Sequence, residues 1–190
     1  MYKKCTMNSN YAQLQISASE ARAIADDIFN VSGVTTRLNG EIDFNYSIVC
    51  ANSKKYILKI SRPNVDRSYL DFQQKLLQHL SKSPEVVTPK IVLDKHGSAI
   101  GSIIDAHGNL RYVRLLTWVY GRLWSTVNPH TNSLRYSLGF KSGMITKALQ
   151  GFKHPMANRK LDWDNSQVEW VFLFSSFIAW KCTIKSFCFP

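Results

Sequence analysis

A chain of 190 residues can form one ordinary domain, or a small lobe plus part of a second, because domains cluster near about 100–150 residues. Hydrophobic residues make up 45% and charged residues 19%, which excludes a disordered or fibrous chain and predicts a packed fold. Lys and Arg number 24 against 13 Asp and Glu, so the formal net charge of +11 favours anionic partners such as nucleotides, nucleic acid or lipid phosphates.

The basic residues extend from Lys3 to Lys185 with no run longer than two. Nucleic-acid arms concentrate them in a block or on one helix face, so a dedicated nucleic-acid partner is not expected. Cys5, Cys50, Cys182 and Cys188 show no Cys-x-x-Cys or Cys/His spacing suited to zinc and are expected to be reduced structural thiols. No apolar segment follows the charged start of the chain, so no secretory signal is read and a cytoplasmic location is expected.

In chain order, Ser17 to Phe29 predicts a short amphipathic helix, capped by Ser17, with Ala21, Ile24 and Ile28 on one face and Gly33 ending it. Three strand-like runs follow, Val34 to Leu38, Phe44 to Cys50 and Lys55 to Ile60. The turn-forming stretches Asn39-Gly40 and Ala51-Asn52-Ser53 join them into an antiparallel meander. After Pro63, Arg67 to Leu80 places Leu70, Leu76, Leu77 and Leu80 on one face, predicting a helix packed on that sheet. Lys90 to Leu93, Ser98 to Ile104 and Leu110 to Leu116 read as further strands, with His96-Gly97 and His107-Gly108-Asn109 as turns, for five or six strands in all.

Gly121 breaks this pattern. Beyond Asn128-Pro129, Thr131 to Gln150 predicts a helix with Leu134, Leu138, Ile145 and Leu149 as its buried stripe, opening a new lobe. Val168 to Trp180 is an aromatic-rich apolar run shorter than the about 20 residues that span a bilayer, so no membrane span is read. The tail to Pro190 reads equally as a buried helix or strand, an interfacial segment or an altered reading frame. The expected organisation is a helical extension over 1–33, a sheet lobe over 34–120, the start of a helical lobe over 121–164 and a divergent apolar tail over 165–190.

Lys59 is the first candidate for chemistry. It lies in the apolar run Tyr56-Ile57-Leu58-Lys59-Ile60, where burying an ammonium is costly unless it meets an anion such as a phosphate. An isolated strand lysine also snorkels from an exposed face, and the residues alone admit both readings.

The order of motifs separates them. Leu38-Asn39-Gly40-Glu41-Ile42-Asp43-Phe44-Asn45 comes first, then the lysine strand, then a helix, then Val113-Arg114-Leu115-Leu116-Thr117-Trp118-Val119-Tyr120-Gly121. From about Thr36 to Asp164 this order resembles the aminoglycoside-phosphotransferase family, and more closely its hydroxylysine-kinase-like branch. The resemblance implies an α+β fold: a protein-kinase-like small lobe, with an antiparallel five- to six-stranded sheet plus a helix, then a hinge and an incomplete helical large lobe. It also implies ATP-dependent transfer of the γ-phosphate to a hydroxyl of a small amino-bearing substrate, with Mg2+ as the family's metal.

Residue by residue, the resemblance assigns Lys59 to the α- and β-phosphates. It assigns Gly40 and Asn45 to the loop over the nucleotide, and Leu116, Thr117, Trp118 and Gly121 to an adenine-binding hinge. An Asn-Gly pair is also an ordinary hairpin turn, and a strand ending at glycine is also an ordinary edge strand. The helical acid that orients the lysine in many kinase-like proteins matches Gln73 here, with Asp71 nearby; a glutamine can hydrogen-bond an ammonium but cannot neutralise it.

The family places its catalytic base and magnesium ligands in a His-x-Asp-x-x-x-x-Asn loop after the hinge, and none of the 190 residues forms that pattern. His107-Gly108-Asn109 imitates its start but lacks the aspartate and precedes the hinge. Asp162-Trp163-Asp164 imitates the magnesium strand without a catalytic loop before it, so no catalytic or metal-binding residue is assigned. The chain is expected to stop short of the catalytic loop, to be inactive alone, and to self-associate through exposed apolar surface. Two rival readings are a non-catalytic nucleotide- or partner-binding module and a basic RNA-binding protein.

Overall fold

The computed structural model describes residues 15–40 and 43–159. The chain divides into two compact units, 1–156 and 157–190. Only residues 157–159 of the second are described, so the tail from Asn165 and Asp162-Trp163-Asp164 lie outside the described residues, and the architecture below is that of the first unit.

Helix α1 (Ala18–Phe29) begins where Ser17 and Glu20 cap each other. The Ser17 hydroxyl accepts from the Glu20 N–H at 3.2 Å, and the Glu20 carboxylate accepts from the Ser17 N–H at 2.7 Å, satisfying two otherwise unpaired donors. The helix ends earlier than the Gly33 expected from sequence. Asn30 adopts a left-handed conformation at φ 54° and turns its N–H back onto the Ala25 and Asp26 carbonyls. Gly33 serves close approach instead, since a Cβ there would lie 2.4 Å from the Val49 carbonyl oxygen.

Six antiparallel strands follow: β1 (Val34–Leu38), β2 (Phe44–Val49), β3 (Lys55–Ile60), β4 (Ile91–Val92), β5 (Gly101–Ile104) and β6 (Leu110–Thr117). The order is β1-β2-β3-β6-β4, and β5 also pairs with β6. β4 and β5 share one edge of β6, β5 along Leu110–Val113 and β4 at Leu115–Leu116. β5 starts later than the predicted Ser98. The Ser98 N–H is held by Asp94 at 2.7 Å and its hydroxyl donates to the Ile100 carbonyl, a local turn that competes with the sheet ladder.

Side-chain alternation gives the sheet two unlike faces. Phe44, Tyr46, Ile48, Leu58, Ile60, Val113 and Leu115 are buried in one cluster with Ala21, Ala25 and Phe29 of α1. The Tyr46 hydroxyl donates to the Ile16 carbonyl beneath it, tying the segment before α1 to the core. On the same face Arg111 is paired with Asp105 at 2.6 Å and stacks over Phe44.

Helix α2 (Arg67–Leu80) is capped by Asp66, whose carboxylate accepts from the Ser68 N–H at 2.9 Å. Its buried residues are Leu70, Gln74 and Leu80, whereas the predicted Leu76 and Leu77 are only half-buried. Gln74 takes an inward position because its amide donates to the Ala99 carbonyl at 3.2 Å.

A cis Asn128–Pro129 bond precedes α3 (Asn132–Ala148), which is capped by Thr131. No residue of α3 is buried: of the predicted stripe, Leu134 and Leu149 are half-buried and Leu138 and Ile145 are exposed. The described contacts to α2 lie at its C-terminal end, where His79 Nε2 donates to the Ala148 carbonyl and Phe152 packs on Phe72 and His79. Among the described residues no helix is long and apolar enough to cross a membrane, and Cys50 is a free, half-buried thiol.

Candidate functional site

The face of the sheet away from α1 carries a polar row across its three central strands. Asn45 on β2 is directly opposite Lys59 on β3, and Lys59 is directly opposite Arg114 on β6. The Lys59 ammonium donates to Asn45 Oδ1 at 2.8 Å and lies 3.2 Å from Asp43 Oδ2. Arg114 Nη2 approaches that same carboxylate oxygen at 2.7 Å, and Arg114 Nη1 donates to Gln73 Oε1 of α2 at 2.5 Å. Among the described residues, two cations thus share the Asp43 carboxylate.

Burial grades this group. The Arg114 side chain is 3% exposed, Asp43 11% and Lys59 24%, so the lysine is the member that faces solvent. Burial lowers the Arg114 pKa, and the neighbouring Asp43 charge works against that shift. An ammonium has three donors, and Asn45 and Asp43 are the two partners of Lys59 among the described residues. An anion of suitable reach can take the remaining donor.

Gly40 comes close to this row. A Cβ on Gly40 would lie 2.2 Å from Asn45 Nδ2 and 2.5 Å from the Asp43 carbonyl oxygen, so only glycine lets the backbone pass this close. An open cleft of about 650 Å³, lined by Arg37, Leu38, Asn39, Gly40, Asp43 and Phe44, adjoins the turn.

At the end of β6, Leu116 pairs with Ile57 on one side and Ile91 on the other. The Thr117 N–H donates to the Lys90 carbonyl at 2.9 Å and the Trp118 N–H to the Lys55 carbonyl at 3.0 Å. The Thr117 hydroxyl accepts from the Lys90 N–H, and the Lys55 ammonium sits 3.5 Å from the centre of the Trp118 ring. The N–H groups of Thr117 and Trp118 are therefore engaged within the sheet. Gly121 follows with open space around its Cα.

Gln73 is brought to the polar row, but through Arg114 rather than Lys59. Asp71 points elsewhere, pairing with Lys75 at 2.8 Å and lying 3.4 Å from His154 Nε2. His107-Gly108-Asn109 forms a turn, with Gly108 at φ 77° and the Asp105 carboxylate accepting from the His107 and Asn109 N–H groups. Among the described residues no three His, Cys, Asp or Glu side chains are grouped to hold a metal ion.

Two residues of the row, Asp43 and Arg114, were not singled out by sequence reasoning. The available signal was weak: Asp43 is two residues before Asn45, hence on its side of the strand, and Arg114 interrupts an apolar strand much as Lys59 does.

An antiparallel sheet with a helix against it, a glycine close to the asparagine that holds a strand lysine, and a strand leading out to further helices define the small lobe of a protein-kinase-like α+β fold. Two solved structures share it. One is the amicoumacin kinase hAmiN in complex with AMP-PNP, Ca2+ and Ami, with TM-score 0.57 and 21% identity over 73% of this chain and 42% of that one. The other is the microcompartment-associated aminopropanol kinase, with TM-score 0.60 and 18% identity over 78% of this chain and 45% of that one. The chain therefore spans less than half the length of either. No curated protein matches it. The profile of the phosphotransferase enzyme family, APH, matches residues 34–180, and the chain belongs to that family.

Proposed function

We propose that the chain supplies the ATP-binding lobe of a small-molecule phosphotransferase, an enzyme that passes the γ-phosphate of ATP to a hydroxyl of a small amino-bearing substrate. The observation that carries this reading is the Asn45–Lys59–Arg114 row close to Gly40, where among the described residues two cations share the Asp43 carboxylate and Lys59 is the one nearest solvent. Lys59 holds the α- and β-phosphates, the backbone around Gly40 and Asn45 lies over the nucleotide, and the segment from Leu116 through Trp118 to Gly121 meets the adenine. Because the Thr117 and Trp118 N–H groups are engaged by the Lys90 and Lys55 carbonyls, the hinge takes any adenine-directed N–H from residues beyond Trp118. The two solved relatives, named as kinases of amicoumacin and of aminopropanol, support an amino-bearing acceptor.

Among the described residues no three His, Cys, Asp or Glu side chains are grouped to hold a metal ion, and the carboxylate at the row, Asp43, is engaged by Lys59 and Arg114. A bound Mg2+ supplies charge neutralisation at the phosphates in this chemistry. The 190 residues also contain no His-x-Asp-x-x-x-x-Asn pattern to position the acceptor hydroxyl. On this reading the chain alone binds nucleotide and transfers no phosphate. Exposed Tyr136, Leu138 and Phe140 on α3 support self-association of the isolated chain, which sedimentation would detect.

The test is thermal stabilisation by ATP, with and without magnesium, for the wild-type chain and Lys59→Ala. A ligand present at about 100 times its Kd stabilises by about 2.7 kcal/mol, enough to shift the melting temperature by several degrees. A shift in the wild type that falls sharply in Lys59→Ala, at the same ATP concentration, is the expected result. A folded wild-type sample that ATP does not stabilise refutes the reading.

A further inference from the structure

The carboxylate beside Lys59 does not come from the helix. In protein kinases a glutamate on the helix packed against the sheet pairs with the strand lysine and must be in place for activity. Here α2 offers the neutral Gln73, whose oxygen is taken by Arg114, while the nearby acid Asp71 is paired with Lys75 and His154. The charge that meets Lys59 is that of Asp43, which immediately precedes β2.

We propose that Asp43 is the residue that positions Lys59 for the nucleotide phosphates, and that Arg114 and Gln73 anchor Asp43 to α2. This rests on the nucleotide reading above and specifies how that site is held. Lys59 and Arg114 are register partners on adjacent strands, where directly opposite side chains have Cβ atoms roughly 5 Å apart and like charges repel. Arg114 is buried and cannot retreat to water, so any repulsion is relieved by movement of the more exposed Lys59. Asp43 Oδ2 prevents that by touching both cations at once, at 3.2 Å and 2.7 Å. The Gln73 oxygen in turn holds the other end of the Arg114 fork. The Asp43 carbonyl also lies against Gly40, so the bond that fixes the lysine holds a residue next to the backbone proposed to cover the nucleotide.

The consequence runs against simple electrostatics. Removing a carboxylate from a phosphate site makes it more positive, which by charge alone tightens ATP binding. If Asp43 positions Lys59, its removal weakens ATP binding instead.

The experiment is calorimetric titration of ATP into the full chain as wild type, Asp43→Ala, Asp43→Asn and Lys59→Ala, and with each Asp43 substitution placed in the Lys59→Ala background. Both Asp43 variants lose the same charge, but asparagine keeps an acceptor oxygen, so any difference between them reports positioning. We expect about a tenfold loss of ATP affinity in Asp43→Ala and about a threefold loss in Asp43→Asn, in line with the strength of charge-assisted against neutral hydrogen bonds. In the Lys59→Ala background the Asp43 substitutions should change affinity by less than about twofold, because the partner through which they act is gone.

Unchanged or tighter binding in either Asp43 variant overturns the inference, as does an equal loss in the Lys59→Ala background, which marks a general structural role. If Asp43→Ala does not fold, Asp43→Asn decides alone, and wild-type affinity there overturns it. A wild-type chain that binds no ATP refutes the nucleotide reading and this inference with it. Lys59-dependent binding indifferent to Asp43 refutes the inference only.

Discussion

Two rows of side chains cross the same three strands one residue apart, and they have opposite chemistry. Tyr46, Leu58 and Leu115 are in register and fully buried under α1. Asn45, Lys59 and Arg114, each their neighbour in sequence, carry charge and hydrogen bonds on the other side. The alternation of a β-strand lets one stretch of backbone serve stability through its even positions on β2 and β3 and a polar site through its odd ones. It follows that substitutions on the two rows should separate cleanly, one set acting on folding and the other on nucleotide binding.

The largest effect belongs to the core row. Leu58→Ala should lower the unfolding free energy by about 2–5 kcal/mol, the range for truncating a fully buried leucine. ATP affinity measured on the folded protein should stay within about twofold. Urea melts paired with ATP titration check this, and a Leu58→Ala chain that keeps its stability but loses ATP would abolish the distinction between the faces.

The Asp105–Arg111 pair tests the same face by pH. Burial raises the Asp105 pKa, but the Asn109 N–H, the Arg111 guanidinium, the Asn109 amide and the His107 N–H outweigh it and hold the carboxyl at about 2, below its ordinary 3.8. A carboxyl with a depressed folded pKa contributes stability that is complete above its unfolded pKa and is lost as pH falls through the folded one. Stability from this pair should therefore be constant above about pH 4 and drain away between about pH 4 and pH 2. Chemical melts across that window, compared with Asp105→Asn, should show the wild-type slope flattened in the variant. A slope that survives the substitution assigns it to other carboxylates.

The polar face is probed more gently at Gly40. An alanine Cβ there would lie 2.2 Å from the Asn45 amide and 2.5 Å from the Asp43 backbone carbonyl oxygen, so the amide must swing away and the backbone must shift. That amide's oxygen holds Lys59 at 2.8 Å. Gly40→Ala should cost about 1–2 kcal/mol of stability, because backbone as well as side chain must shift, and should weaken ATP binding of the folded protein roughly three- to tenfold. Wild-type ATP affinity in the folded Gly40→Ala variant would separate Gly40 from the polar row.

How much of this was legible in the sequence follows the same division. α1, the β1–β3 meander and α2 are written in local periodicity and turn residues, and they stand where the patterns put them. Helix ends and strand ends were less legible. Asn30 outcompeted Gly33 because its N–H finds two carbonyls, and Ser98 left its predicted strand for bonds to its own neighbours. The stripe on α3 has helical spacing, yet periodicity says only which residues share a face, and none of that face is buried. The family resemblance singled out Lys59 and Asn45. It did not single out Arg114, whose partners Gln73 and Asp43 are 41 and 71 residues away and meet it only once the strands are in register.

The smallest effect tests whether the core face depends on the helix that covers it. Ser17 and Glu20 close the first turn of α1, and Ala21 and Ala25 of that helix are completely buried against the sheet. Ser17→Ala removes the acceptor for the Glu20 N–H and should cost about 1 kcal/mol, the usual value for losing a serine cap. The loss should appear as a small drop in melting temperature with ATP affinity unchanged, since Ser17 lies on the side of the sheet opposite Lys59. Glu20→Gln should cost less, because its side-chain oxygen still accepts from the Ser17 N–H. A change in ATP affinity from either substitution would mean that the two faces are coupled through the strands, with packing under α1 setting the register in which Asn45, Lys59 and Arg114 meet.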